Sequence, residues 1–346
     1  MTSLLDPLDR DDFITVRNRT VMSAMSRGFA TPDHFVTDAM RDYYAARAAG
    51  GVGLILTEGT IIHPSGDGWN QAPYIATQAH ADSWRATIDA VHAHGGAIAC
   101  QLWHCGRISH SDYTGGAPVS STSVAAGGIN RQNGKPYGEP RALSIDEMPQ
   151  VYGYYVDAAR RALDAGFDAI EVHIGHGYLA DQFFDSRVND RTDRYGAGSV
   201  ENRCRFALEL MHEVLKVAPA ERVIARISPS RFMGGIYEWP DLDEMLGYLI
   251  PQLADAGLRA LDVSCANSDY FETSGKILRK VRPMWSGVLI GGASLSAEDA
   301  QAELDAGHVD LVTWGRAFIA NPDLAEKIAS GAEWVGFEDA MRDTLN

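Results

Sequence analysis

His173, His176 and Tyr178 place two imidazoles and a phenol close together in the chain. Such a trio can donate hydrogen bonds to an oxygen that gains charge, and the phenol can also give up a proton. The same His-x-x-His spacing could supply half of a metal site, or it could serve packing alone. Downstream lies a polar block that contains a glycine, Arg191-Thr-Asp-Arg-Tyr-Gly196, followed by Glu201-Asn-Arg203. Charged sequence directly after an apolar segment suggests a long functional loop.

The elements that must position these groups can be read from periodicity. Ala169 to His173 is short, apolar and partly β-branched, and it follows Gly166, so it predicts a buried strand. The chemical trio then sits where that strand ends. Similar strands are expected at Arg19–Ala24, Leu54–Thr57, Ala97–Leu102, Val223–Ile227, Ala260–Ser264, Val288–Gly291 and Leu311–Trp314. Between them, helical spacing runs over Thr37–Ala49, Ala79–His94, Met148–Ala165, Ser199–Val217, Leu242–Ala256, Ser274–Val281 and Ser296–Ala306. A last helix is expected at Leu324–Ser330, with Ser199 and Ser296 as N-caps and Gly166 as a C-terminal stop. Eight strand–helix units predict an α/β fold, a single (β/α)8 TIM barrel spanning residues 1–346. An open dinucleotide sheet would call for an early G-x-G-x-x-G after a strand, and none is present. Residues 103–147, rich in Gly, Ser and Pro, are expected to form a lid or hairpin inserted after the third strand.

Composition narrows the partners. With 30 Lys and Arg against 46 Asp and Glu, the formal charge is −16, which argues against nucleic acid or an anionic membrane. The four cysteines, Cys100, Cys105, Cys204 and Cys265, form no C-x-x-C, so a cysteine-held zinc or iron–sulfur cluster is not expected. No apolar run is long enough to span a bilayer, and the acidic start, Met1 to Asp12, has no apolar core of a signal peptide. A cytoplasmic protein with reduced thiols is the expectation.

In a barrel the C-terminal strand ends carry the chemistry. They offer Ser23 and Ser26 after the first strand, Glu58 and Gly59 after the second, and Gln101 and Trp103 on the third. Arg226 lies inside the fifth strand, where a cation is costly to bury without an anion or acceptor. It could form an internal ion pair with Glu171 or Asp262, or sit beneath an electron-rich cofactor. Gly291-Gly292-Ala293-Ser294 and Gly315-Arg316, at the seventh and eighth strand ends, suit a phosphate: glycine permits close backbone approach and Arg supplies charge. Turn glycines beside a surface arginine are the plainer alternative.

Taken together these segments resemble the Old Yellow Enzyme family of FMN-dependent ene-reductases, in the branch of pentaerythritol tetranitrate reductase and the oxophytodienoate reductases. The resemblance rests on Asn18-Arg-Thr-Val-Met-Ser-Ala-Met-Ser-Arg27, Leu56-Thr-Glu-Gly-Thr60 and Gln101-Leu-Trp-His-Cys-Gly-Arg107. It continues through His173 to Tyr178, Arg191 to Gly196, Glu201 to Arg203, Arg226-Ile-Ser-Pro229, Gly315-Arg316 and Ala320-Asn-Pro-Asp323. It implies non-covalent FMN, NADPH or NADH as reductant, and a small enone or nitro compound as substrate, in a monomer or homodimer.

Ser26 then stands beside flavin O4 and N5, where the family usually has Thr or Cys. Gly59 and Gln101 contact the ring, and Arg226 lies near N1 and O2. Gly292, Ala293, Gly315 and Arg316 hold the phosphate. His173 and His176 bind the acceptor oxygen, Tyr178 donates the proton, and Trp69 and Trp103 line the pocket. No metal is implied. Three departures from the family stand out: Gly175 between the histidines where Ala is frequent, Gly196-Ala-Gly-Ser199 in place of Gly-Gly-Ser, and a tail after Asp323 without the usual Tyr-Gly-Gly. Two rival readings remain at this point: a metal-dependent barrel hydrolase using His173 and His176, and a flavin-binding barrel without catalysis.

Overall fold

A computed structural model describes residues 2–232, 235–265 and 268–345. Eight parallel strands form the barrel: β1 (Thr20–Met22), β2 (Leu54–Leu56), β3 (Ala97–Trp103), β4 (Ala169–His173), β5 (Val223–Ile227), β6 (Ala260–Val263), β7 (Val288–Gly292) and β8 (Leu311–Trp314). Each pairs with the next, and β8 returns to β1 through Val312 opposite Thr20, so the sheet is closed. Eight helices cover it: α1 (Asp38–Ala49), α2 (Gln78–Ala93), α3 (Met148–Ala165), α4 (Val200–Leu215), α5 (Leu242–Asp255), α6 (Ser274–Val281), α7 (Ala297–Asp305) and α8 (Leu324–Ser330). This is the (β/α)8 barrel that the alternating pattern predicts.

Local chemistry sets the helix ends. Ser199 and Ser296 accept from the amides of Asn202 and Asp299, which satisfies first-turn donors. Gly166 ends α3 in the left-handed region at φ 112°. Side chains alternate along the strands. On β5, Val223, Ala225 and Ile227 join the helix-packed core, whereas Ile224 points with Val21, Leu54, Ala99, Ala260 and Ile290 into the barrel axis. The sequence pattern gave no warning of a hairpin, Leu8–Arg10 with Phe13–Val16, whose Leu8, Phe13 and Val16 fill that axial core from below.

The segment between β3 and α3 begins one residue later than expected, because Trp103 is still strand. It is built of small pieces: a turn of helix at Ser111–Thr114, a parallel bridge of Val119–Ser120 with Arg141–Ala142, and a hairpin of Ile129–Asn130 with Lys135–Pro136. Asn70 ties that hairpin to the Trp69 loop, donating to the Gln132 carbonyl at 2.7 Å and accepting from the Tyr113 hydroxyl at 2.7 Å.

Candidate active site

The trio lies where β4 gives way to its loop. The Gly175 amide donates to His173 Nδ1 at 3.3 Å, which places the proton of the neutral ring on Nε2. His176 adopts the left-handed region at φ 57° and Gly177 follows at 78°. A non-glycine residue there is uncommon and has to be held in place. Two contacts do so: the His176 amide donates to Ser228 Oγ, and the Gly177 amide donates to Asp181 Oδ2. The buried Asp181 also accepts from Trp239 Nε1 at 2.7 Å and pairs with Arg231 at 2.8 Å. A second hairpin, Ser230–Phe232 with Ile236–Glu238, supplies Arg231 and thus braces the turn. Gly175 has a steric reason: a Cβ there would lie 2.8 Å from Ser228 Oγ and 2.9 Å from its amide nitrogen.

The turn brings the rings together. His173 and His176 have centroids 5.1 Å apart, and His173 and Tyr178 5.2 Å. Trp103 meets Tyr178 edge-on at 5.0 Å and Trp69 at 5.9 Å, so both tryptophans and the phenol form one aromatic cluster. Burial, then the cations Arg226 and Arg231, push His173 well below the usual imidazole range. His176 is lowered likewise by burial, His173 and both arginines, and its buried Nε2 has no hydrogen-bond partner among the described residues. Burial raises the Tyr178 phenol, so the trio is two neutral imidazoles and a protonated phenol around neutral pH.

Below them runs a polar layer across the barrel axis. Gln101 Nε2 donates to Glu171 Oε2 at 2.6 Å. Arg226 lies 3.6 Å from Glu171 and 3.5 Å from Asp262, and donates to Ser23 Oγ at 3.2 Å and Ser264 Oγ at 2.7 Å. Both carboxylates named as possible internal partners are therefore present. Even so, Arg226 Nε and Nη1 make no hydrogen bond among the described residues, so two of its donors stay open.

Other positions are placed as follows. A Cβ on Gly59 would come within 2.3 Å of the Trp103 ring, so this glycine seats the tryptophan. Ser26 is half-buried on the β1 loop, and its neighbours Arg27 and Gly28 donate their amides to Glu58 Oε2 at 2.9 and 3.0 Å. Gly292 and Thr313 are register partners on β7 and β8, which brings Ala293, Gly315 and Arg316 to adjacent strand ends. A Cβ on Gly292 would lie 2.1 Å from the Thr313 carbonyl, so close strand approach alone demands glycine there. The tail that lacks Tyr-Gly-Gly still returns to this rim: Phe337 lies 5.6 Å from the Arg316 guanidinium and 5.4 Å from that of Arg342. Arg27 donates to the carbonyls of Met341 and Thr344 and so clamps the tail beside the β1 loop.

Sequence reasoning placed Glu58 at the β2 end without a role, and left Asp181 unassigned. Glu58 is fully enclosed, and burial raises it to about 7 against the hydrogen bonds that lower it. A carboxyl raised in the folded state favours folding below its ordinary value near 4.5, and that contribution fades as pH rises through about 7. The group should thus cost about 3 kcal/mol of stability between about pH 4.5 and about pH 8. Glu58→Gln keeps an acceptor for the two amides and removes the titration. Urea unfolding at both pH values is expected to show that decline in the parent and its absence in the variant; equal slopes would refute the assignment.

Open polar groups and glycine turns gather at one end of the barrel. Among the described residues, unpartnered guanidinium nitrogens sit on the axis, the unpartnered His176 Nε2 lies at the β4 end, and a glycine-bearing rim lies at β7 and β8. No group of three or more His, Cys, Asp or Glu able to hold a metal occurs among the described residues. Comparison with known proteins agrees with this geometry. Residues 3–334 match the model of the NADH:flavin oxidoreductase / NADH oxidase family. The chain is 37% identical over 331 residues to 12-oxophytodienoate reductase 7 of Oryza sativa subsp. japonica, covering 89% of this chain and 82% of the rice protein. It is 36% identical over 326 residues to a probable flavin mononucleotide-dependent alkene reductase of Leishmania infantum, covering 92% and 88%. The solved structure of the old yellow enzyme homologue of Zymomonas mobilis superposes with a TM-score of 0.91 at 34% identity, over 99% of this chain and 97% of that one. A closed barrel with this trio, this axial arginine and these relatives belongs to the Old Yellow Enzyme family, the chain being an FMN-dependent oxidoreductase.

Proposed function

We propose that the protein is an NAD(P)H-dependent ene-reductase that reduces activated C=C bonds of α,β-unsaturated carbonyl or nitro compounds. The observation that carries this reading is the pair of neutral imidazoles set beside a protonated phenol at one strand end. When bound, FMN supplies hydride chemistry between a nicotinamide and the acceptor's β-carbon. The rest falls to the chain. Gly292, Ala293, Gly315 and Arg316 would hold the phosphate, and Arg226 would offer its cation to the ring system. Ser26, Gly59 and Gln101 border the ring. His173 Nε2–H and His176 donate to the carbonyl or nitro oxygen, where negative charge develops, and being uncharged they leave no cation to be desolvated when the pocket is empty. Trp69 and Trp103 exclude water from the flat acceptor. Tyr178 delivers a proton to the α-carbon. Residues 104–147 act as a lid through their ties to the Trp69 loop.

The test uses phenolic ligands, whose oxygen would take the acceptor's place. His173→Ala and His176→Ala are each expected to weaken phenol binding by about tenfold or more, since a hydrogen bond to a charged oxygen contributes about 1.5–3 kcal/mol. Titration of the yellow holoenzyme, followed by flavin absorbance, reads this directly. Parent-like affinity in both variants would remove the imidazoles from the oxygen site.

A further inference from the structure

Glu171 and Asp262 are two buried carboxyls on the barrel axis that the proposed mechanism leaves without a role. Their side chains are 0% and 1% exposed, yet one cation, Arg226, lies between them. Counting charge gives one positive against two negatives in a closed barrel axis. The groups facing the pair are Arg226 on β5, Gln101 on β3, and the hydroxyls of Ser23 and Ser264 that occupy Arg226; His173 above is uncharged.

Hydrogen bonding repeats the discrepancy. Glu171 Oε2 accepts from Gln101, but Glu171 Oε1 and both Asp262 oxygens have no donor. Neither contact with Arg226, at 3.6 and 3.5 Å, is a hydrogen bond of ordinary length. Three orphaned carboxyl oxygens in one layer would be a heavy desolvation penalty if both groups were ionised. A proton on one carboxyl, donated to the other, provides the missing donor and reduces the layer to one positive and one negative charge. Both carboxyls approach the one guanidinium, at 3.6 and 3.5 Å, and burial, opposed by Arg226 and reinforced by the neighbouring Glu171, raises Asp262 far above the usual carboxylate range.

We infer that Glu171 and Asp262 share a single proton beneath Arg226, and that the pair tunes the cofactor by fixing how much of the arginine's charge the flavin meets. The inference rests on the reading that FMN lies above Arg226. Both residues act through Arg226 and are positioning residues. Full ionisation would cancel more of the guanidinium charge and disfavour the reduced, anionic flavin. A pair holding one proton leaves one compensating charge only.

The arrangement predicts a non-additive pattern. In Asp262→Asn, Glu171 keeps the single negative charge; in Glu171→Gln, Asp262 takes it. Each single variant should change the ratio of affinities for reduced over oxidised FMN by less than about threefold, while Glu171→Gln/Asp262→Asn, which removes the last negative charge, should raise it by about tenfold or more. Midpoint potentials of the bound flavin, set against free FMN, read the ratio. Similar rises in both single variants, summing in the double, would mean that both carboxyls are ionised and would overturn the inference. Infrared spectra of Glu58→Gln holoenzyme with isotope-labelled aspartate or glutamate, taken with and without the added Glu171→Gln/Asp262→Asn change, provide a second check free of the raised Glu58 carboxyl. A carboxylic acid stretch that persists at neutral pH, shifts in D2O and vanishes in the double variant is expected, and the absence of such a band would also overturn the inference. Preparations that fold but retain no FMN would instead count against the cofactor reading.

Discussion

Tyr178→Phe should leave reduction of bound FMN by NADH or NADPH within a few-fold of the parent enzyme and slow flavin reoxidation by a simple enone by about 10²-fold or more. The ring stays and only the hydroxyl goes, so the edge-on contacts with Trp103 and His173 at 5.0 and 5.2 Å persist. Burial makes the phenol a weaker acid than in water. Weak acidity suits a proton donor of this kind. An α-carbanion is basic enough to take the proton, while no charge stands on the oxygen when substrate binds. Nitroalkenes are expected to lose less, because a stable nitronate can leave unprotonated and pick up its proton from water. Stopped-flow records of the two half-reactions separate a proton donor from a packing residue. Equal slowing of both, or of neither, would take Tyr178 out of the chemistry.

Arg226→Met should be the most damaging single change to the fold. It keeps much of the side-chain volume but removes the cation between Glu171 and Asp262, at 3.6 and 3.5 Å. Breaking a buried ion pair from one side costs about 3–5 kcal/mol. The remaining carboxyls respond by binding protons, so their folded-state values rise above the unfolded ones. Stability is accordingly recovered below about pH 4 and is lost as pH rises toward neutrality. Unfolding by urea near pH 5 and near pH 8 should therefore show a larger deficit at the higher value, together with poor flavin retention. A deficit below about 1 kcal/mol, or one independent of pH, would mean that the axial layer is not held by charge.

Much of this was legible in the chain because barrel strands bury both faces and leave short apolar runs bounded by glycine. Ala169–His173, Val223–Ile227 and Leu311–Trp314 match their expected limits for that reason. The trio was legible because polar groups at the end of such a run have few structural uses. Other features were not. The Leu8–Val16 hairpin was missed because two strands of three and four residues, with Phe13-Ile14-Thr15-Val16 not alternating, give little periodicity. Glu58 and Asp181 look like ordinary loop acids in one dimension. Their roles come from backbone amides far from view in the sequence, those of Arg27 and Gly28 for one and Gly177 for the other. Gly59 and Gly292 were read toward a cofactor, yet each also has a neighbour, the Trp103 ring or the Thr313 carbonyl, that excludes a Cβ.

The clamp of Arg27 on Met341 and Thr344 has a practical consequence for handling the protein. The last described residues lie at the rim beside the β1 loop, whereas Leu8 and Phe13 plug the opposite end of the barrel. An affinity tag attached close after Thr344 would therefore lie beside the β1 loop and pull on the backbone that Arg27 holds. The same tag attached ahead of the Leu8–Val16 hairpin would join the segment that closes the opposite end of the barrel. Immobilisation through the N-terminal side should leave flavin loading and substrate entry undisturbed.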